Sequence, residues 1–214
     1  MWTCLQPAAA DWRPFSTPGL APGKAAILEI RLLDPDGKLV KNLEVVHEKI
    51  LHLLVVSRDL SWFAQEHPDI QKDGSFTIEL TFPAPGAYFL FHDFTPQRVG
   101  QQVVRAEVTV AGSPPKSVPL AIDMDRSKSV DGVVVTLKTD GKLAAEGDET
   151  LTFGLSANDK PITDLERYLG AMGHLVILSQ DLEHFVHSHP LEESHGHWVT
   201  PPGQSVRRSA EDPK

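Results

Sequence analysis

The chain has 214 residues, with 20 Lys and Arg against 29 Asp and Glu, a net charge of -9 and a pI near 5.5. That balance excludes a nucleic-acid surface, which needs clustered basic residues to displace counterions. The single cysteine, Cys4, excludes an internal disulfide framework, a Cys-ligated zinc site and an iron–sulfur cluster, while a hydrophobic content of 41% suffices for a packed core.

Residues 1–11 read as an N-terminal tail. They lack the basic and continuous apolar stretches of a signal peptide, and nowhere does the chain hold the roughly 18 to 20 apolar residues of a membrane span. Residues 12–111 then read as a first β-sandwich repeat. Its strand candidates are the β-branched and aromatic runs AAILEIRLL from Ala25, FTIELTF from Phe76, AYFLFHDF from Ala87 and VVRAEVTV from Val103. The turn dipeptides Asp36-Gly37, Asp73-Gly74 and Pro85-Gly86 separate them. Within this repeat, His47-Glu48-Lys49-Ile50-Leu51-His52 imitates a zinc-protease helix with one residue too many. Histidines at i and i+5 share neither a helix face nor a strand face, so that chemistry is excluded.

The stretch 112–119 reads as a linker, and 120–200 as a second repeat with strand candidates GVVVTLKT from Gly132 and ETLTFGLS from Glu149, around the turn Asp140-Gly141. HLLVVSRDLSWFAQEHP (His52 to Pro68) returns as HLVILSQDLEHFVHSHP (His174 to Pro190), with about half the positions identical at an offset of 122 residues. The register persists outward, from Gly19 with Gly141 to Gly74-Ser75-Phe76-Thr77 with Gly196-His197-Trp198-Val199. This marks a duplicated domain. Residues 201–214, polar and Pro-rich, read as a disordered tail, so the second repeat is expected to be incomplete. It would then be partly disordered, shifted in frame, or completed by a partner chain, because a sandwich lacking its last strands exposes sheet edges. The fold class is all-β: two tandem antiparallel β-sandwich repeats of immunoglobulin-like or cupredoxin-like form.

Five histidines fall within HFVHSHPLEESHGH: His184, His187, His189, His195 and His197. The turns Ser57 to Ser61 and Ser179 to Glu183 suggest a hairpin in each repeat, which brings His174 opposite position 187, 188 or 189. Residues 187 and 189 share a face, and an opposed cross-strand pair stands about 4.5–5.5 Å apart at Cβ, within reach of one ion. His174, His187 and His189 are therefore candidate ligands, with His195 or His197 as a fourth. Imidazoles without thiolate suit Zn2+, Cu2+ or Ni2+, and the position of Cys4 outside both repeats excludes a blue-copper centre. His184 is expected to face solvent. The first repeat keeps His52 and His67 but carries Gln65 in place of His187, so it is either a weakened metal unit or, as favoured, one whose histidines are structural, for example with a ring N–H bonded to a backbone carbonyl beside the turn at Pro68 or Pro190. His47 and His92 are expected at half-buried or surface positions. Trp62, Phe63, Phe185 and the run Tyr88 to Phe94 are expected in the core. No nucleophile elbow, P-loop or dinucleotide fingerprint is present, and no organic cofactor is implied.

The pattern HEK-x-LHL-x-VVS-x-DLS-x-F…HP, then DG-x-FT…TFP-x-PG-x-Y-x-LF-x-DF, over Val46 to Phe94 resembles bacterial cell-envelope β-sandwich proteins associated with copper and heavy-metal handling. GAMGHLVILS…FVHSHP…HGH resembles the second half of the same two-repeat proteins. The resemblance covers residues 12 to 200. It implies two immunoglobulin- or cupredoxin-like modules, no established enzyme activity, and a periplasmic or membrane-anchored envelope setting. The sequence departs from it in showing no signal peptide and in lacking the closing strands of the second module. The reading that follows is a non-enzymatic protein that buffers or delivers Cu2+ or Zn2+. Two alternatives stay open: an interaction module with structural histidines, and, more remotely, a redox enzyme of superoxide-dismutase type.

Overall fold

The β-branched and aromatic runs form strands. The computed structural model describes residues 9–14, 19–139, 150–190, 192–194 and 197–199, and it holds no helix among them. The chain divides into two units, Met1–Val118 and Pro119–Lys214.

In the first unit, one antiparallel sheet contains β1 (Ala9–Pro14), β2 (Ala25–Leu33), β6 (Phe76–Thr81) and β5 (Asp69–Ile70), in the order β1-β2-β6-β5. A second contains β4 (Phe63–Glu66), β3 (Leu51–Ser57), β7 (Gly86–Phe94) and β8 (Gln102–Val110), in the order β4-β3-β7-β8. Alternate residues of the two sheets meet in one buried cluster: Leu28, Ile30 and Leu32 from β2, Leu51, Leu53 and Val55 from β3, and Leu90 and Phe94 from β7. This period-2 pattern on facing sheets is that of a β-sandwich. At about 1.5–3 kcal/mol for each fully buried large side chain, the cluster supplies most of the drive to fold.

Three expectations are corrected here. The segment 1–11 is not wholly a tail, because Ala9, Ala10 and Asp11 pair with Leu33, Leu32 and Arg31; the outer ladder of β2 leaves backbone groups that an extended chain can satisfy. His92 is fully buried, not half-buried or at the surface, because it alternates with Leu90 and Phe94 on β7. Phe63 is 70% exposed rather than in the core, as it lies on the edge strand β4. Trp62 does pack against the core, Phe185 is buried and His47 is half-buried.

The second unit repeats this plan. β9 (Ser127–Val130), β10 (Val133–Thr139), β11 (Leu151–Ala157), β16 (His197–Val199) and β15 (Glu192–Ser194) form a sheet in the order β15-β16-β11-β10-β9, and β12 (Lys160–Pro161) also pairs with β11. β13 (Leu175–Leu178) and β14 (Phe185–Ser188) form a separate hairpin. Shifted by the repeat offset, β10, β11, β16 and β15 stand where β1, β2, β6 and β5 stand in the first unit. β13 and β14 stand where β3 and β4 stand. Counterparts of β7 and β8 are not among the described residues, and residues 201–214, expected as a tail, also lie outside them.

Candidate metal centre

The hairpin that carries the histidines is built the same way in both units. In the first, Leu53 pairs with Glu66 and Leu54 with Gln65; in the second, Leu175 pairs with Ser188 and Val176 with His187, the same register after the repeat offset. The connecting turn is fixed by a carboxylate. Asp59 accepts hydrogen bonds from the hydroxyls of Ser57 and Ser61, and Asp181 accepts from the Ser179 hydroxyl and the Glu183 amide. These donors hold both carboxyl groups below their ordinary titration range. A turn pinned in this way cannot slip by a residue, and a slip would send every side chain to the other face.

That register places His174 opposite His189 at the next step of the ladder, with His187 two residues away on the same face. The candidate nitrogens of His174, His187 and His189 all lie within 4.8 Å of one another. They form the one such group of three among the described residues. His187 is buried, while His174 and His189 are half-buried, so the cluster is open on one side. The rings stand 4.7 Å apart for His174 and His189, 4.6 Å for His187 and His189, and 5.9 Å for His174 and His187.

The tautomer of His174 follows from its partners. Its Nε2 lies 2.9 Å from the Tyr168 carbonyl oxygen, which can only accept, so Nε2 carries the proton. Its Nδ1 is then a lone pair, 3.0 Å from Nε2 of His189. A backbone carbonyl that fixes the far nitrogen of a ligating imidazole is the usual outer-shell support of a metal site. Nitrogens bound at about 2.0–2.1 Å around a tetrahedral ion stand about 3.3 Å apart, so the pair needs to open by only a few tenths of an ångström.

The support is also duplicated. His52 Nε2 lies 3.0 Å from the Val46 carbonyl oxygen, and Val46 is the counterpart of Tyr168. Each carbonyl belongs to a two-residue turn, Val46 to Lys49 and Tyr168 to Ala171, closed by a pair of backbone hydrogen bonds. The central residues, His47 and Glu48 in one and Leu169 and Gly170 in the other, all have positive φ, which is the type I′ hairpin turn. The segment His47 to His52 therefore forms no helix. His52 and His67 meet edge to face at 5.0 Å, but Gln65 stands where the third imidazole would be. The expected carbonyl partner of the structural histidine is present for His52, at the turn before it rather than beside Pro68.

His184 is exposed, as expected. His195 lies outside the described residues. His197 begins β16, its backbone opposite Gly154 in the larger sheet; nothing further is described of its side chain. Sequence reasoning missed the anchoring carbonyl of Tyr168, which leaves no mark in residue type. The usable signal was Gly170, a glycine suited to positive φ four residues before His174.

A family model described as Domain of unknown function (DUF8832) matches residues 14–113 and 128–210. No curated protein matches the sequence significantly. Among solved structures, the crystal structure of S. aureus TarS is similar at 9% identity over 92% of this chain, with a TM-score of 0.27. The crystal structure of S. aureus TarS 217-571 is similar at 10% identity over 89% of this chain, with a TM-score of 0.26. The chain spans 36% and 55% of the lengths of those two chains, and scores this low do not mark a shared fold.

Proposed function

The chain belongs to the DUF8832 family, and since that family is a domain of unknown function, we propose its role from the geometry: it binds a divalent transition metal, Cu2+ or Zn2+, through His174, His187 and His189. One observation carries this reading, the convergence of three imidazoles on the face of a register-locked hairpin, with His174 already held in the ligating tautomer by Tyr168. Three neutral nitrogen donors and no thiolate select borderline divalent ions over Cu+. The open side of the cluster admits the ion and leaves a coordination position for water or a further ligand. Because only neutral imidazoles ligate, the ion is released on acidification. Buffering or delivery of metal at the cell envelope is the role that the family resemblance supports.

Calorimetric titration with Zn2+ and Cu2+ tests the site. The unaltered chain is expected to bind one ion through this centre, and His187→Ala or His189→Ala to weaken it by about 10- to 100-fold or more. Binding that is unchanged in both variants would refute the assignment.

A further inference from the structure

The segment entering the second unit has an unspent strand pattern. Leu120, Ile122 and Met124 alternate with Ala121 and Asp123, and they are 52%, 90% and 81% exposed. This is the period of a strand with one apolar face, yet the segment pairs with no strand among the described residues. β13 presents the complementary surface. Among the described residues it pairs with β14 alone, and Ile177, the counterpart of core-facing Val55, is 43% exposed. An open edge and an apolar extended segment are the two halves of strand addition.

The first unit shows what such an edge accepts. There β7 lies antiparallel along β3, with Val55 opposite Leu90, Leu53 opposite His92 and His52 opposite Asp93. Leu90-Phe91-His92-Asp93-Phe94 and Leu120-Ala121-Ile122-Asp123-Met124 share their layout: a large side chain at the first, third and fifth positions and aspartate at the fourth. Laid on β13 in the register of β7, the segment puts Leu120 opposite Ile177, Ile122 opposite Leu175 and Asp123 opposite His174. Opposed residues stand about 4.5–5.5 Å apart at Cβ, which brings the Asp123 carboxylate beside the three imidazoles.

We propose that two copies of this chain associate by reciprocal strand addition, each laying Leu120–Met124 along β13 of the other and offering Asp123 to the other copy's histidine cluster. A second copy is favoured over the segment's own chain because Ile122 and Met124, 90% and 81% exposed, already stand away from the unit that carries them. The chain is anchored just behind them: Asp125 accepts a hydrogen bond from the Ser127 amide and the Arg126 carbonyl accepts from the Leu137 amide, contacts that strand addition leaves intact. Asp123 itself accepts from the Asp125 amide and pairs with Lys128 at 2.6 Å. Exchanging the exposed Asp123–Lys128 pair for a new partner costs little, since such pairs are worth about 0–1 kcal/mol. The contact is isologous and closes as a dimer. Only the role of Asp123 rests on the metal reading; the strand pairing does not.

Sedimentation equilibrium in EDTA, with hydrogen exchange at the Val176 and Leu178 amides, which face away from β14, tests the pairing. The unaltered chain is expected to dimerise and to protect those amides. Ile122→Asp on the added segment and Ile177→Lys on the receiving edge are each expected to raise the dimer dissociation constant at least about tenfold and remove that protection. Both side chains are exposed, so far-UV circular dichroism should be unchanged. A monomer overturns the proposal, whether β13 is bare or covered by its own chain, and so does a dimer indifferent to Ile122→Asp. Asp123→Asn is expected to keep the dimer and weaken Zn2+ binding about tenfold; unchanged affinity within an intact dimer overturns the register. A chain that dimerises in EDTA but binds no metal refutes the metal reading alone, and a monomer that binds metal refutes the exchange alone.

Discussion

His92 sits in the first unit's interior with its ring Nδ1 3.1 Å from the Val104 carbonyl oxygen. The carbonyl can only accept, so Nδ1 carries the proton and Nε2 is a lone pair, buried and without a hydrogen-bond partner. Charging that ring strands an imidazolium in an apolar core, and burial accordingly lowers its pKa from 6.5 to about 4. Between pH 6.5 and 4 the unfolded chain takes up a proton that the folded chain refuses, so stability is full above 6.5 and falls as pH drops towards 4. At about 1.36 kcal/mol per pKa unit the loss approaches about 3 kcal/mol. Urea denaturation at pH 7.5 and pH 4.5 should therefore show a marked loss of first-unit stability, and His92→Leu should flatten that dependence. An equal pH slope in the variant would show that another group is responsible.

At the scale of the hairpin, the two repeats differ by one decisive position. β3–β4 and β13–β14 have the same register, the same carboxylate-pinned turn and the same carbonyl behind the first histidine. Gln65 and His187 occupy equivalent places opposite Leu54 and Val176. Gln65→His should therefore install a third imidazole beside His52 and His67. Measured in a His187→Ala background, where the second-unit centre is weakened, Zn2+ binding should return; no gain over His187→Ala would mean that the first-unit rings are held too rigidly to converge. The duplication is also what made this part of the molecule legible from sequence. Two copies of the turn located the hairpin, while the spacing left His174 opposite 187, 188 or 189; the register is set by the hydrogen bonds of Asp59 and Asp181 inside the turn. Strands with weak signals escaped. β1 contains Trp12, Arg13 and Pro14 without alternation, and β9 is Ser-Lys-Ser-Val, polar on both faces; each is held by pairing with a stronger neighbour rather than by its own propensity. The Tyr168 carbonyl was invisible for a different reason, since every residue has one.

Across the whole chain, the two units carry unequal cores. The first packs one continuous cluster running from Leu20 to Val110, whereas the buried hydrophobic residues described in the second are Ala171, Leu182 and Phe185, with β10 and β11 mostly half-buried. Apolar burial sets the main favourable contribution to folding, so the second unit should unfold at the lower temperature. Metal bound to His174, His187 and His189 stabilises only the unit that holds it. At a free concentration a hundred times the dissociation constant the gain is about 2.7 kcal/mol, which for a unit of this size raises the transition by about 10 °C or more. Scanning calorimetry should then show two transitions in EDTA, with Zn2+ moving the lower one and leaving the upper in place. In His187→Ala the lower transition should stay where it was. The strand exchange adds a second dependence, because a dimer that dissociates on unfolding melts higher as protein concentration rises. That dependence should appear in the lower transition without metal and vanish in Ile122→Asp. If Zn2+ moved the upper transition instead, the ion would be bound in the first unit, and the His52–His67 pair would be the centre to pursue.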